Sequence, residues 1–455
     1  MSSEWLETTL GEICKQQNGS IQTGPFGSQL HASDYVPVGV PVVMPANIGA
    51  DGGISEDGIA RISHADKERL AQHQLKMGDV VFSRRGDVTR NALVEPHQVG
   101  WLCGTGCLKV RLGNESIAFA KFISYCLRLP ETKSWLIRHA VGATMPNLNT
   151  SILSAVPITL PPVDVQKEIA DFLGALDDRI TLLRETNTTL EAIAQALFKS
   201  WFVDFAPVHA KQQGRAPEGM DAATAALFPD SFEESELGMV PKGWRVGHIG
   251  GFVSVTDYVA NGSFASLKEN VTLYDSENYA IYLRTTDFNS GFSGGLRFVD
   301  KKSYDFLEKS SLNGSEVIIS NVGDVGTVFR PPVWLGYPMT LGSNAIALKS
   351  NGLTSYLYLY FRSYKGQNDI KSIVTGSAQL KFNKTNFRSL SIALPVNSVL
   401  VRFEETVGTF LKKIDNNSAL IKELATLRDA LLPRLISGQL RLPEAQELAQ
   451  AAVAE

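Results

Sequence analysis

The strongest hydrophobic pattern in the chain is an apolar residue at every seventh position in two separate segments. The first segment carries the series Ile169, Leu176, Leu183, Leu190 and Leu197. The second carries the series Val407, Ile414, Ile421 and Leu435, which Arg428 interrupts. A seven-residue repeat keeps one apolar seam facing a partner helix. The pattern therefore predicts two long helices that pair as a coiled coil; the alternative is an amphipathic helix packed on its own domain.

The stretch before each predicted helix contains short runs rich in valine, isoleucine and aromatic residues, which predict strands. These runs are 38–48, 78–84, 108–112, 279–284 and 316–320. Residues 117–128 and 353–364 predict intervening helices. Strands mixed with helices in this way indicate an α+β fold.

The two halves of the chain repeat each other with an offset of 234 to 239 residues, which indicates duplication. The matched pairs keep the same order: Trp5 with Trp244, Gly86 with Gly323, Gly142 with Gly376, Leu160 with Leu394, and Asp177 with Asp415. If the two long helices run antiparallel, the repeat gains a pseudo-two-fold axis. We therefore expect two similar domains separated by two long antiparallel coiled-coil helices.

The repeat, together with prolines at 161, 162 and 395, sets the predicted boundaries. The segments are a first domain (1–160), a helical region (161–205), a connector (206–242), a second domain (243–394), a second helical region (395–440) and a tail (441–455). The connector is predicted because its centre is rich in Gly, Pro, Ala and acidic residues and has no sustained periodicity.

The charge balance argues against a simple basic protein that coats DNA. The 455 residues include 43 Lys and Arg against 47 Asp and Glu, which gives a net charge of −4. Specific DNA binding then needs a local cluster of cations, or phosphate contacts supplied by partner subunits. The four cysteines form no disulfide framework, and the sequence has neither a membrane-spanning apolar run nor a secretory leader pattern. We therefore expect a cytoplasmic protein with reduced thiols.

The sequence lacks the motifs of the enzymes that act on nucleotides or DNA. It has no phosphate-binding Gly-x-x-x-x-Gly-Lys-Ser/Thr loop and no dinucleotide-binding Gly-x-Gly-x-x-Gly after a strand. It also lacks the Asp/Asn-Pro-Pro-aromatic tetrapeptide of amino-methyltransferases, and its histidines and cysteines have no metal-ligand spacing. These absences predict a non-catalytic chain with no catalytic residues, no metal and no cofactor of its own.

Four segments resemble the specificity (S) subunit of type I restriction–modification enzymes, and the resemblance covers nearly the whole chain. Gly24–Ser28, followed by Asp34-Tyr35, Gly39-Val40-Pro41 and Asn47-Ile48, is similar to the opening of a target recognition domain. Residues 75–87 resemble its central stretch, and residues 197–205 and 431–438 resemble the ends of the two helical regions. In the second half the Gly24–Ser28 element has no clear counterpart, and Asn321-Val322 replaces Arg84-Arg85.

The resemblance implies two target recognition domains and two helical regions, arranged circularly, in a non-enzymatic subunit that reads a bipartite sequence in double-stranded DNA. It further implies that two modification (methyltransferase) subunits, which bind S-adenosylmethionine, dock on the helices. Restriction subunits, which use ATP and Mg²⁺, would complete the nuclease. Methylation and cleavage would then belong to these partners, and no membrane is involved.

Candidate DNA-binding residues are polar side chains in glycine-containing loops, since arginine pairs with guanine and asparagine or glutamine with adenine. In the first domain they are Ser83, Arg84, Arg85, Arg90, Thr144, Asn147 and Asn149. In the second domain they are Arg284, Gln379, Lys381, Asn383 and Lys384. The alternatives are a solvated surface loop for the arginine cluster, turn residues bonding their own backbone for Thr144, Asn147 and Asn149, and a tight structural turn for Gly24–Ser28.

Three large apolar residues, Trp201, Phe202 and Phe205, stand at the end of the first predicted helix. They are candidates either for capping the coiled coil or for anchoring a modification subunit. Two other interpretations of the whole chain remain open: an enzyme with unfamiliar motifs, and a two-lobed protein scaffold without a DNA role. S-adenosylmethionine binding by the isolated chain would indicate the first, and failure to bind duplex DNA with added modification subunit would indicate the second.

Overall fold

A computed structural model describes residues 5–49, 51–142 and 145–454. The chain forms two compact units: one takes the residues up to 180 together with those from 423 onward, and the other takes residues 181–422. Each unit therefore contains one half of the repeat and a portion of each long helix.

The elements of the first half, in chain order, are β1 (Leu6–Thr9), α1 (Leu10–Gln16), β2 (Ser20–Thr23), β3 (Tyr35–Val43), β4 (Ala60–Ile62), α2 (His64–Arg69), β5 (Val80–Ser83), β6 (Asn91–Leu93), β7 (Leu102–Cys103), β8 (Cys107–Arg111), α3 (Ala120–Cys126), α4 (Pro130–His139), α5 (Thr150–Ser154), β9 (Pro157–Leu160) and α6 (Val163–Phe202).

The connector contains α7 (Ala206–Gln212), α8 (Ala222–Ala226), β10 (Phe232–Ser235) and β11 (Gly238–Pro241). The elements of the second half are β12 (Arg245–His248), β13 (Ser254–Asp257), α9 (Phe264–Asn270), β14 (Leu273–Tyr274), β15 (Ala280–Leu283), α10 (Thr285–Asn289), β16 (Phe298–Val299), α11 (Lys301–Phe306), β17 (Ser311–Leu312), β18 (Val317–Ser320), β19 (Val328–Phe329), β20 (Met339–Leu341), β21 (Ala345–Lys349), α12 (Thr354–Arg362), α13 (Tyr364–Ser372), α14 (Lys384–Arg388), β22 (Ser391–Leu394), α15 (Asn397–Ile436) and α16 (Leu442–Ala454).

The two globular domains share the strand order of their four-stranded sheet. The first has a four-stranded sheet in the order β2-β8-β5-β6, and the second has its equivalent, β13-β21-β18-β19. A further sheet in each domain contains one parallel pair, β3 with β7 and β15 with β20. In each domain the first strand pairs antiparallel with the last, β1 with β9 and β12 with β22. Each domain therefore closes on itself immediately before its long helix.

A polar side chain near the start of each long helix is hydrogen-bonded to the domain that precedes the helix. Gln166 in α6 is fully buried; its Oε1 accepts the amide hydrogen of Phe119 at 2.9 Å, and its Nε2 donates to the Pro161 carbonyl at 2.8 Å. Glu404 in α15 accepts the amide hydrogens of Ser355 and Tyr356 at 3.0 and 2.9 Å. Both side chains satisfy amides at the start of a helix (α3 or α12), which otherwise lack partners.

In the first unit, the N-terminal part of α6 packs on the C-terminal part of α15. Ile169 and Leu173 share one core with Leu431 and Leu435. Arg428, which interrupts the heptad series, donates from Nη1 to Asp177 Oδ1 at 2.6 Å. The charge in the seam is therefore paired with the partner helix rather than left in an apolar site.

In the second unit, the C-terminal part of α6 packs on the N-terminal part of α15. Asn417 Nδ2 donates to Asn187 Oδ1 at 2.8 Å, and further along α6 the Phe202 ring lies 4.7 Å from that of Phe403. Residue numbers rise on α6 as they fall on α15, so these segments run antiparallel.

The aromatic residues at the end of α6 belong to the core of the second unit. Trp201 and Phe202 are only 5% and 7% exposed, and they contact Phe228, Trp244 and Phe403. Their burial leaves almost no surface for a partner, which favours the capping alternative over the anchoring of a modification subunit. Phe205 is half-buried, and its ring lies 5.4 Å from that of Trp244.

The connector is more regular than its sequence pattern indicated. The connector contains two short helices and an antiparallel hairpin in which Phe232 pairs with Pro241. Phe228 and Val240 are buried, and Phe228 belongs to the core of the second unit. Isolated buried residues without periodicity leave little sequence signal, which explains the missed elements.

Candidate nucleic-acid interface

In the first domain, the candidate site is a hairpin that packs against the residues directly after strand β5. Val141 and Asn147 exchange backbone hydrogen bonds at 3.0 and 2.9 Å, and the Leu148 amide donates to the Arg84 carbonyl at 2.9 Å. The backbone of Gly142 has φ +109°, and a Cβ there would lie 2.6 Å from the Met145 carbonyl oxygen. This hairpin therefore needs glycine at position 142.

Arg84 and Asn147, which are 63 residues apart in the sequence, meet in this site. Arg84 Nε donates to Asn147 Oδ1 at 3.2 Å, and the guanidinium lies 5.7 Å from the centre of the Phe26 ring. Arg85 is exposed, and within the described part of the chain its guanidinium has no hydrogen-bond or ion-pair partner. It is therefore the member of the arginine cluster most available to a ligand.

The structure uses Ser83 and Arg90 to shape the loop. Ser83 is 1% exposed and its Oγ donates to the Arg85 carbonyl at 2.8 Å, which leaves its side chain almost no surface for DNA. Arg90 Nε donates to Asp87 Oδ2 at 3.0 Å and Nη1 to the Ile48 carbonyl at 3.3 Å. Burial acts to raise the pKa of Asp87, but hydrogen bonds from Thr89 and Arg90 outweigh it, and the pKa lies below its usual value.

The two remaining candidates of the first domain are Asn149 and Thr144. Asn149 is the N-cap of α5, where its Oδ1 accepts the amide hydrogen of Ile152 at 2.8 Å. This bond to the local backbone is what the turn-residue alternative expects, although the Asn149 side chain stays exposed. Thr144 lies outside the described residues.

The second domain repeats this construction with different side chains. Thr375 and Lys381 exchange backbone bonds at 2.8 and 2.9 Å, and the Phe382 amide donates to the Asn321 carbonyl at 3.1 Å. Gly376 has φ +98°, and Gly323 matches Gly86 with φ +78° in both. Asn321 thus occupies the place of Arg84, and Lys381 that of Asn147.

The candidate residues of the second hairpin divide into exposed and engaged side chains. Gln379 and Lys381 are exposed on the hairpin. Asn383 is the N-cap of α14 and accepts the Asn386 amide hydrogen at 2.8 Å. Lys384 Nζ lies 2.8 Å from Asp257 Oδ1, so part of its charge is already neutralised within the domain.

Arg284 is not part of the second hairpin. It follows β15 in the other sheet, and its Nη2 donates to the Gly295 carbonyl at 2.7 Å. Hydrogen bonds to the buried Asp287 carboxylate raise the pKa of Arg284 above its usual value. The guanidinium is therefore committed to a contact inside its own domain, and only part of it can face a ligand.

Two residues of this interface were not among the sequence candidates. Asn321 could have been found, because it aligns with Arg84 at the offset of 237 residues that Gly86 and Gly323 share. Phe26 is 55% exposed and contacts Arg84, but an aromatic residue in a short turn carries no sequence signal for exposure. The described residues contain no group of three or more side chains placed to hold a metal ion, and no described helix is long and apolar enough to cross a bilayer.

Two copies of one α+β domain, each with a polar hairpin docked on a strand exit, define a duplicated protein with a separate candidate site in each half. The family model described as the type I restriction modification DNA specificity domain matches residues 2–192 and 241–426. The chain therefore belongs to this family. Membership confirms the resemblance, the expected fold class and the expectation of a DNA specificity subunit rather than an enzyme.

Known proteins of similar sequence carry the same description. The HindI specificity subunit of a type I restriction enzyme from Haemophilus influenzae is 27% identical, covering 81% of this chain and 88% of that protein. The MjaIX specificity subunit from Methanocaldococcus jannaschii is 26% identical, with coverages of 71% and 70%. The S subunit of a type I system from M. genitalium superimposes with a TM-score of 0.55 at 15% identity, covering 95% of this chain and 96% of that one. The last comparison shows a shared fold.

Proposed function

We propose that this chain reads a bipartite DNA sequence for a type I restriction–modification complex, with one half-target recognised by each domain. The observation that carries the proposal is the repeated hairpin site with unlike side chains at equivalent positions. Arg84, Arg85 and Asn147 in the first domain correspond to Asn321, Val322 and Lys381 in the second. One scaffold with two different polar surfaces is what two different half-targets require.

The side chains of each hairpin supply the chemistry of base reading. Arginine donates two hydrogen bonds to guanine, asparagine and glutamine pair with adenine, and lysine contacts phosphates or guanine. The net charge of −4 supports a division in which other subunits supply much of the phosphate contact. In this proposal, local cations of the present chain provide specificity and its partners provide much of the affinity.

The helices α6 and α15 set the length of the unread gap between the half-targets in this proposal. Each has 40 residues. At about 1.5 Å per residue, each would extend about 60 Å. Half-sites that face the same side of B-DNA repeat about every 34–36 Å, so a fixed helix length selects particular gaps.

The catalytic parts belong to partner subunits. Two modification subunits would bind S-adenosylmethionine and dock on the helical regions, while restriction subunits would use ATP and Mg²⁺. The missing nucleotide and methyltransferase motifs support this division of labour, and this chain holds no cofactor. The four free cysteines are consistent with assembly in the cytoplasm.

The deciding experiment is a genome-wide map of methylated adenines in cells with and without this chain. We expect a set of bipartite sites that disappears when the chain is deleted and returns when it is restored. The purified chain with modification subunits should then bind duplexes carrying that sequence. Binding of S-adenosylmethionine by the chain alone would instead indicate an enzyme, and an unchanged methylation map without duplex binding would indicate a scaffold.

A further inference from the structure

Phe26 is a large aromatic side chain that stands in solvent beside the first hairpin. Its exposed fraction is 55%. Other phenylalanine residues of this domain, such as Phe82 and Phe122, are fully buried in the core. Exposed hydrophobic residues mark a binding site when they lie together with other exposed groups rather than singly, so the surroundings of Phe26 decide its role.

The backbone around Phe26 holds the ring in this exposed place. A Cβ at Gly24 would lie 1.8 Å from the Gly104 carbonyl oxygen, so the chain passes this point only with glycine. The Phe26 amide donates to Gln29 Oε1 at 3.1 Å, and the Phe26 carbonyl accepts from the Gln29 amide at 2.7 Å. The bond from the Gln29 amide closes a tight turn over Phe26–Gln29, and Phe26 stands at its first position.

The contact with Arg84 places Phe26 in the candidate interface. The guanidinium lies 5.7 Å from the ring centre, and the same guanidinium is bonded to Asn147 of the hairpin. Two more apolar side chains of the hairpin, Val141 and Met145, are 63% and 59% exposed. Arg84 thus links the turn that carries Phe26 to the hairpin, which also exposes these two apolar side chains.

This mixture fits the bases of DNA better than its phosphates. Phosphate oxygens are bound by cations and by hydrogen-bond donors. An aromatic ring instead packs against a base face or a thymine methyl group, and apolar side chains can wedge into a base step. Arg84 beside the ring can donate to a base edge at the same place.

We infer that Phe26 is a specificity-determining residue that packs against a base of the first half-target. The inference rests on the proposed function and assigns a role to the Gly24–Ser28 turn. Because phenylalanine carries no charge, its contact releases no counterions from DNA. Its contribution to binding therefore has no salt dependence of its own, unlike that of a phosphate-binding arginine.

The test uses the complex of the full chain with its modification subunits and a duplex containing the mapped target. Dissociation constants are measured over a series of salt concentrations for the wild type, Phe26→Ala and Ile137→Ala. Ile137 is a matched control, since it is an apolar residue of the same unit with 59% exposure. Thermal unfolding of each variant confirms that the fold is intact.

We expect Phe26→Ala to weaken binding to the target by about fivefold to one hundredfold, as base–aromatic contacts do. Binding to a scrambled duplex and the salt slope should stay as in the wild type, and Ile137→Ala should change neither. Phe26→Leu, which keeps apolar volume, should fall between wild type and alanine.

Three outcomes would overturn the inference. These are an unchanged target affinity, an equal loss on target and scrambled duplexes, and dissociation of the modification subunits from Phe26→Ala before DNA is added. The last would mean that the ring contacts protein. If the wild-type complex itself shows no preference for the mapped target, the proposed function fails instead, so the two failures are distinguishable.

Discussion

At the scale of single residues, the arginines of the first domain have unequal freedom. Arg90 is held by Asp87 and the Ile48 carbonyl, Arg84 is bonded to Asn147, and Arg85 is exposed. A charge already paired within the protein gains less from a phosphate than one that is solvated. Of the three arginines in this cluster, Arg84 and Arg85 are therefore potential DNA contacts, whereas Arg90 stabilises the loop.

This difference predicts the salt dependence of DNA binding. Arg84→Ala combined with Arg85→Ala should weaken binding to the target and lower the slope of log K against log salt, by up to about 0.9 for each phosphate that the variant no longer binds. Arg90→Gln is the matched control and should leave the slope nearly unchanged. A titration of the complex from low to moderate salt measures both, and an unchanged slope in the double variant would remove these arginines from the interface.

The cysteines give a second prediction at this scale, because burial raises the pKa of Cys14 to about 11 and of Cys103 to about 12. The thiolate is the reactive form. At pH 8 the native chain should react slowly with Ellman's reagent, while the denatured chain should release four equivalents, one for each cysteine. Four rapid equivalents from native protein would contradict the buried placement.

The same thiols set the sign of a pH effect on stability. Their unfolded pKa is about 8.5, so above that pH the unfolded chain loses protons that the folded chain keeps. The free energy of unfolding should therefore fall as pH rises from about 8.5 toward 11. Alanine variants of Cys14 and Cys103 should reduce this fall.

At the scale of elements, the two long helices contain a polar pair within their apolar seam. Asn187 lies in the series Leu173, Ile180, Ala194 and Trp201, and Asn417 lies in the series Phe403, Phe410, Leu424 and Leu431. Asn417 is 2% exposed and bonded to Asn187 at 2.8 Å. A shift by one heptad would place each amide opposite an apolar residue, so the pair fixes the register of the helices.

Leucine substitutions test this account of the register. Asn187→Leu alone should lower the stability of the second unit by about 1–3 kcal/mol, because Asn417 is left buried without its partner. The double variant with Asn417→Leu should regain that loss or exceed the wild type, as apolar replacements of buried polar pairs do. Denaturant midpoints of the three variants measure the effect; additive losses in the double variant would contradict the pairing.

The caps of α5 and α14 separate a structural role from a DNA role for Asn149 and Asn383. Serine also caps helices, but it lacks the amide that pairs with adenine. Asn149→Ala should cost about 1 kcal/mol of stability, while Asn149→Ser should keep most of it. If Asn149→Ser also keeps target affinity, the side chain acts as a cap; if the serine variant is stable but binds weakly, it reads DNA as well.

At the scale of the whole molecule, the features that could be predicted from the sequence are those marked by a periodic pattern or by an ordered series of matches. The heptads located α6 and α15, and the ordered matches located the duplicated domains, because both signals extend over many residues. The proline stop located the start of α6 but not Gln166, whose buried bonds to Phe119 and Pro161 are made by folding. Likewise, the sequence pattern marks Ser83 and Arg85 as equal candidates. The path of the chain after β5 buries Ser83 and exposes Arg85.

The closure of each domain leads to a prediction for the entire chain. Leu6 pairs with Leu160 and Arg245 with Leu394, so the two ends of each globular domain lie side by side on adjacent strands. A domain whose ends are adjacent can be exchanged without altering the segments that follow it. Replacing residues 6–160 with the matching domain of a related specificity subunit should therefore change one half of the methylated target. The other half-target should be kept, because residues 245–394 are unchanged, and so should the gap, because α6 and α15 keep their lengths. Methylation mapping of cells that carry the chimera measures all three features at once. A chimera that folds and methylates but alters both half-targets would contradict independent reading by the two domains.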